Sequence, residues 1–240
     1  MNKKTIIIIS VIGAILLIGL IIFLVISEDD ELYGPHADAL RFKEEYERLN
    51  GEVYENDSEL VFQTINIPEN NPFRFVELEE IINLLENGGT GVVYLGWSSC
   101  SWCRNLVPIL ADTAIESGVP KIFHRDISED RNILELYNNE IIEVRAGHPD
   151  YIRLLELLGE LVPVYREIFP INDGSFRRIY VPVVLFIRDG EIIRYQGNLD
   201  SFQNRINQSD DLTSFDEMNE DEIDELQHLF LEYFARLFDN

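Results

Sequence analysis

The sequence predicts an α/β domain with a helical insertion, preceded by one N-terminal transmembrane helix. Three observations carry this: an almost unbroken apolar run from Ile6 to Ile26, an alternation of short apolar runs and helix-periodic stretches from Phe73 onward, and a segment over 128–178 too long for a loop. With 240 residues, 46% of them hydrophobic and 11% aromatic, the chain has enough apolar surface to bury a core.

The first run follows Lys3 and Lys4 and is closed by Glu28, Asp29 and Asp30. At about 1.5 Å per helical residue it spans the roughly 30 Å of bilayer hydrocarbon. A cleaved signal peptide has an apolar region of only about 7–15 residues and a small-residue processing site. Val25-Ile26-Ser27-Glu28 offers no such site, and both cysteines lie far downstream, so the expected anchor is the helix itself, over 5–27. Lysines before it and acids after it orient a single-pass protein, with its N-terminus cytoplasmic and its C-terminal domain extracytoplasmic at the cell membrane. Disulfides persist on that side.

Acids outnumber bases 44 to 19, for a formal charge of −25, and the two lysines before the span make the exported part more acidic still. Nucleic acid is thereby disfavoured as a partner, because a phosphate backbone needs a basic stripe. The acids read as a solvated surface, with a preference for cationic peptides as the weaker alternative.

Residues 28–58 read as a stalk region whose helix over Pro35 to Leu49, a stalk or docking helix, has Leu40, Tyr46 and Leu49 on one side and is closed by Asn50-Gly51. The domain is expected over 59–240. Leu60 to Ile67 is strand-like and ends at Pro68. Glu77 to Glu86 has helical spacing and stops at Asn87-Gly88-Gly89. Gly91 to Trp97 is an apolar run suited to a buried strand, Ser101 to Ser117 is helical and closes at Gly118, and Lys121 to Ile127 is a further strand. Within the insertion over about 128–178, Tyr151 to Phe169 reads as a helix opened by Pro149-Asp150 and interrupted by Pro163. Val181 to Ile187 and Glu191 to Tyr195 flank Arg188-Asp189-Gly190 as a hairpin. The acid-rich stretch Asp210 to Glu225 lacks the pattern of a calcium loop and reads as a linker into a last helix, about Glu220 to Leu237.

The chain's only cysteines, Cys100 and Cys103, fall between an apolar strand and a helix. Free backbone N–H groups and the positive end of the helix dipole favour a thiolate over a thiol at such a place. One helical turn on, Cys103 can attack a mixed disulfide formed at Cys100, making Cys100 the nucleophile and Cys103 the resolving thiol. Two other readings of a C-x-x-C are weaker here. A structural zinc site needs four ligands, and the four histidines, His36, His124, His148 and His228, are scattered singly. A structural disulfide closing so small a loop contributes little through chain entropy. No metal or cofactor is expected beyond a redox-active Cys100–Cys103 disulfide.

The order Cys100, Cys103, Arg104, Leu106, Val107, Pro108, Ile109, Leu110 resembles the active-site helix of the thioredoxin family, with Pro108 the more specific sign because a proline inside a helix removes a hydrogen bond. Val181-Pro182, apolar Val183 to Ile187, Arg188 and Asp189-Gly190-Glu191 resemble the family's cis-proline strand and hairpin. The likeness covers about Phe73 to Tyr195 plus the last helix, without the insertion. It extends to exported thioredoxin-like proteins of low-GC Gram-positive bacteria, including bacteriocin transport accessory-type proteins. The resemblance implies a thioredoxin-like fold, thiol–disulfide exchange on exported protein or peptide thiols and disulfides, and substrate-backbone binding at Val181 and Pro182. Trp97 and Trp102 are expected as an apolar rim near Cys100, against ordinary packing as the alternative. The sequence departs from the family at Ser101-Trp102 between the thiols, and Tyr94 stands where the family buries a carboxylate near the resolving cysteine. His124 is expected to be structural. The rival expectation is a redox-inactive binding or accessory module of a membrane or export complex.

Overall fold

The computed structural model of the chain describes residues 35–138, 140–165 and 176–238. The described residues from Asp38 onward belong to one compact unit. The expected anchor over 5–27 lies outside the described residues. Among the described residues no helix is long and apolar enough to cross a membrane.

In chain order the elements are α1 (Ala37–Glu47), β1 (Phe73–Phe75), α2 (Leu78–Glu86), β2 (Gly91–Leu95), α3 (Ser101–Glu116), β3 (Ile122–Arg125), β4 (Ile133–Tyr137), β5 (Glu140–Arg145), α4 (Pro149–Leu158), β6 (Val183–Arg188), β7 (Glu191–Gln196), α5 (Asp200–Asn207) and α6 (Glu220–Phe238). Five strands form a mixed sheet in the order β1-β3-β2-β6-β7, and β4 and β5 form a separate two-stranded sheet. β1, β3 and β2 are parallel; β6 is antiparallel to β2, and β7 to β6. This is an α/β architecture.

Central β2 is buried along its whole length, which is why its sequence is an unbroken apolar run instead of an alternation. Val92 and Tyr94 face a core shared with Phe42 of α1, Leu106 and Leu110 of α3 and Phe230 and Phe234 of α6. Val93 and Leu95 face the opposite core, with Ile81 of α2 and Leu154 and Leu158 of α4. The β6–β7 turn takes positive φ at Asp189 (53°) and Gly190 (80°), the geometry a two-residue hairpin with right-handed strand twist requires. Gly190 is also sterically obligatory, since a Cβ there would stand 2.7 Å from the Leu85 carbonyl oxygen. Helix α6 opens with a reciprocal cap: Glu222 N–H donates to Asn219 Oδ1 (2.9 Å) and Asn219 N–H to Glu222 Oε2 (2.8 Å).

Four expectations differ from the structure. The helix expected as a stalk or docking helix docks on the sheet, but through Ala39, Phe42 and Tyr46, and Leu40 on the expected apolar side is 43% exposed. Phe42 stacks on Phe73 at 3.9 Å, and burying such a ring stabilises by roughly 1.5–3 kcal/mol. Residues 60–67 bury Phe62, Ile65 and Ile67, of which only the last two keep a strand's alternation, and they form no strand beyond a bridge from Val61 to Val53. Side chains take the place of a partner strand: Ile65 N–H donates to Asn50 Oδ1 (3.1 Å) and Ile67 N–H to Glu47 Oε1 (2.7 Å). The insertion is not wholly helical, since the β4–β5 hairpin precedes α4. Its helix ends at Leu158, because Gly159 adopts positive φ (51°) and only a 3-10 turn over Gly159–Leu161 follows before Pro163; the expected continuation over 166–169 lies outside the described residues. Strand β1 and helix α5 were not apparent from sequence periodicity.

A dithiol at a helix N-terminus beside a cis-proline loop

The register of the sheet assembles the site. Leu95, the last residue of β2, pairs with Val183, the first of β6, so the turn leaving β2 and the loop entering β6 emerge side by side at one end of the sheet. The first carries Trp97 to Cys100; the second carries Val181-Pro182, whose peptide bond is cis.

Cys100 is the N-cap of α3, in extended conformation. Its Sγ accepts from the Cys103 N–H at 3.2 Å, filling one of the donors that a helix start leaves open, and lies 3.8 Å from the Val181 carbonyl oxygen. Cys100 is half-buried and Cys103 fully buried; both are free thiols. Burial, followed by the hydrogen bond with Cys100, pushes the Cys103 thiol well above its ordinary pKa. One sulfur is thus open to a partner and the other is shielded from all but the first. Pro108 stands inside α3 as expected.

The two tryptophans are half-buried and packed. Trp102 meets Phe202 of α5 edge-on at 5.3 Å between ring centres, and Trp97 carries the Arg131 guanidinium 4.5 Å above its ring. Trp97 also lines, with Ser99, Tyr54, Phe62 and Glu52, a cavity of about 540 Å³ beside the dithiol turn. His124 is buried; its Nδ1 lies 3.3 Å from the Tyr94 carbonyl oxygen, and burial lowers its pKa to about 3. It is a neutral ring in the core at ordinary pH. Among the described residues, no group of three His, Cys, Asp or Glu side chains converges as metal ligands would.

Several residues at this site escaped sequence reasoning. Arg104, known only as part of the motif, is fully buried, and its guanidinium donates to the carbonyl of Tyr46 (2.6 Å), Asn50 Oδ1 (2.6 Å) and the carbonyl of Gln63 (2.8 Å), all neutral. Asn105 donates to the carbonyls of Ser214 and Asp216, each at 3.0 Å, and its Oδ1 accepts from Met218 N–H (3.2 Å). Ser101 and Ser214 share a hydroxyl hydrogen bond of 2.6 Å. The first turn of α3 is therefore strapped on one side by residues 46–63 and on the other by 214–218. No local signal marks these pairs, whose members stand 41 to 113 residues apart.

Fold and site together define an α/β protein bearing a C-x-x-C dithiol at the start of a helix and opposite a cis-proline loop. A scan against protein-family models gives no match, and a search of curated proteins returns no relative.

Proposed function

We propose that this chain is a membrane-anchored, thioredoxin-fold oxidoreductase that exchanges thiols and disulfides with exported proteins outside the cytoplasm. The observation that carries the reading is the position of the Cys100 sulfur, half-open to solvent, with the Cys103 N–H 3.2 Å away and the Val181 carbonyl 3.8 Å away. A substrate strand lying along Val181-Pro182 brings its own sulfur to Cys100. Acting as a reductant, the Cys100 thiolate attacks a substrate disulfide; a Cys100–substrate bond forms, the substrate S–S bond breaks, and one substrate sulfur leaves as thiolate. Cys103 then attacks Cys100, closing the Cys100–Cys103 disulfide and releasing the second substrate thiolate, with each leaving sulfur taking a proton from water. The reverse sequence oxidises a substrate dithiol. No metal or organic cofactor enters either direction.

The N-terminal apolar run and its flanking charges support the anchor and the extracytoplasmic placement. The test is turnover on a scrambled or reduced disulfide protein, with Cys100→Ser as the comparison. Turnover that disappears with the Cys100 sulfur, and mixed disulfides that accumulate on Cys103→Ser, are expected; equal rates with and without Cys100 would reject the reading. Partner capture that survives loss of both thiols would favour a binding or accessory module instead.

A further inference from the structure

Two tyrosines adjoin Cys103 that exchange by a pair of cysteines does not by itself require. Tyr94 of β2 and Tyr46 of α1 are buried, 0% and 1% exposed, and their hydroxyl oxygens are 2.7 Å apart. The Tyr94 hydroxyl and the Cys103 sulfur share the space above Gly96, where a Cβ would stand 2.3 Å from the oxygen and 3.0 Å from the sulfur. Tyr46 hydroxyl, Tyr94 hydroxyl and Cys103 sulfur thus form a row sealed from water. Helix α1 is fixed at the same residue, because Arg104, next in sequence to Cys103, donates to the Tyr46 carbonyl at 2.6 Å.

Beside the Tyr94 hydroxyl, the Trp97 backbone is the other hydrogen-bonding group turned to the Cys103 sulfur, and it is untouched by substitution of either tyrosine. At the N-cap of α3 stands Cys100, whose Sγ is occupied by the Cys103 N–H, and in its first turn Arg104, which is turned to carbonyls. On β3 the neutral His124 ring stacks on Tyr94 at 5.2 Å, with its Nδ1 toward the Tyr94 carbonyl. Asp126 follows β3 and acts on Tyr46 only through its charge.

We propose that the Tyr46–Tyr94 hydroxyl pair belongs to the redox centre: Tyr94 donates a hydrogen bond to the Cys103 thiolate while Tyr46 orients Tyr94, so that α1 completes the site. This rests on the exchange reading above. In the resolving step, Cys103 first loses its proton to water. Its sulfur then bonds to Cys100 Sγ, the bond from Cys100 to the substrate sulfur breaks, and the electron pair leaves with the substrate. The tyrosines transfer no proton. Burial holds both hydroxyls well above their ordinary pKa, so they remain donors. Burial also makes the Cys103 thiolate scarce, which is why a donor aimed at that sulfur controls the rate. Both are positioning residues, acting through Cys103.

The test uses the reduced full-length chain mixed with dithiobis-nitrobenzoate. Cys100 releases one coloured thiol as it takes up the other half of the reagent, and Cys103 releases the second as it closes the disulfide. For Tyr94→Phe the second release slows by roughly 10- to 100-fold, the worth of one hydrogen bond to a charged group, and the midpoint of its pH profile moves upward. Tyr46→Phe shifts rate and midpoint in the same direction by a smaller step, while the first release stays as it was in both. A second release with unchanged rate and midpoint in either variant would overturn the proposal. Should Tyr94→Phe lose its near-UV circular dichroism, Tyr46→Phe decides alone, since the ring it keeps is the part that packs. Absence of a second release from the unsubstituted chain would overturn the exchange reading itself.

Discussion

The guanidinium of Arg104 and the backbone carbonyl of Tyr46 meet at 2.6 Å across 58 residues of sequence, inside a protein interior where Arg104 has no exposed surface. With Asn50 Oδ1 and the Gln63 carbonyl, this bond fastens α1 and the segment after it to the dithiol helix. A lysine carries one nitrogen where arginine offers a planar fork, and cannot reach all three acceptors. Arg104→Lys is expected to destabilise the reduced protein by about 2–4 kcal/mol, because buried acceptors lose their donor. Urea unfolding measures this, and an unmoved midpoint would show that the clamp adds nothing to stability.

Gly96 is the only residue type its place admits. The Cβ of Gly96→Ala would lie 2.3 Å from the Tyr94 hydroxyl and 3.0 Å from the Cys103 sulfur, and both groups are fully buried with little room to withdraw. Overpacking of this kind costs about 1–3 kcal/mol. We expect Gly96→Ala to lower the unfolding midpoint and to raise the rate at which iodoacetamide alkylates Cys103 in a Cys100→Ser background. Alkylation as slow as in the Cys100→Ser parent would show that the crowding is relieved elsewhere.

What the sequence discloses here is local, and what it withholds is the pairing of distant segments. The run Gly91 to Leu95, the Cys100-x-x-Cys103 spacing, Val181-Pro182 and the Asp189-Gly190 turn each carry their signal within a few residues. Tyr46 carries none, since its partner Tyr94 is 48 residues away. The 133–145 hairpin was obscured because apolar Leu136, Tyr137, Ile142 and Val144 are exposed, which blurs the strand alternation. On α1 the small Ala39 marks the buried face and the larger Leu40 the exposed one, the reverse of what side-chain size suggests.

Asn105 is a second fastening of the dithiol helix, to the stretch before α6. Its amide donates to Ser214 and Asp216, and its oxygen accepts from Met218 N–H, so all these groups lose their partner together in Asn105→Ala. A loss of about 2 kcal/mol is expected from leaving the buried Met218 N–H and two partly buried carbonyls unpaired. The effect is regional. Amide exchange at Met218 accelerates, while that of buried β2 stays slow. Equal acceleration in both would mean that the substitution acts on the whole fold.

His124 gives the protein an acid limit. Burial among Phe42, Phe75 and Tyr94, at ring-centre distances of 4.9, 5.0 and 5.2 Å, lowers its pKa to about 3, with Arg41 and Arg125 adding a smaller push in the same direction. In the unfolded chain the ring titrates near its ordinary 6.5. Below that value the unfolded state takes up a proton that the folded state refuses, so the folded state is disfavoured as the pH falls. The contribution is complete above pH 6.5 and is lost at about 1.4 kcal/mol per pH unit until the folded-state value is reached. His124→Phe keeps a ring in the aromatic cluster and removes the titration. Its stability, followed by urea unfolding across the acid range, therefore falls less steeply than that of the parent. Carboxylates elsewhere titrate equally in both proteins and cancel in the difference. Two curves that run parallel from neutral pH down to the acid limit would mean that His124 is protonated in the folded protein, and that its ring is not the sealed, neutral element described here.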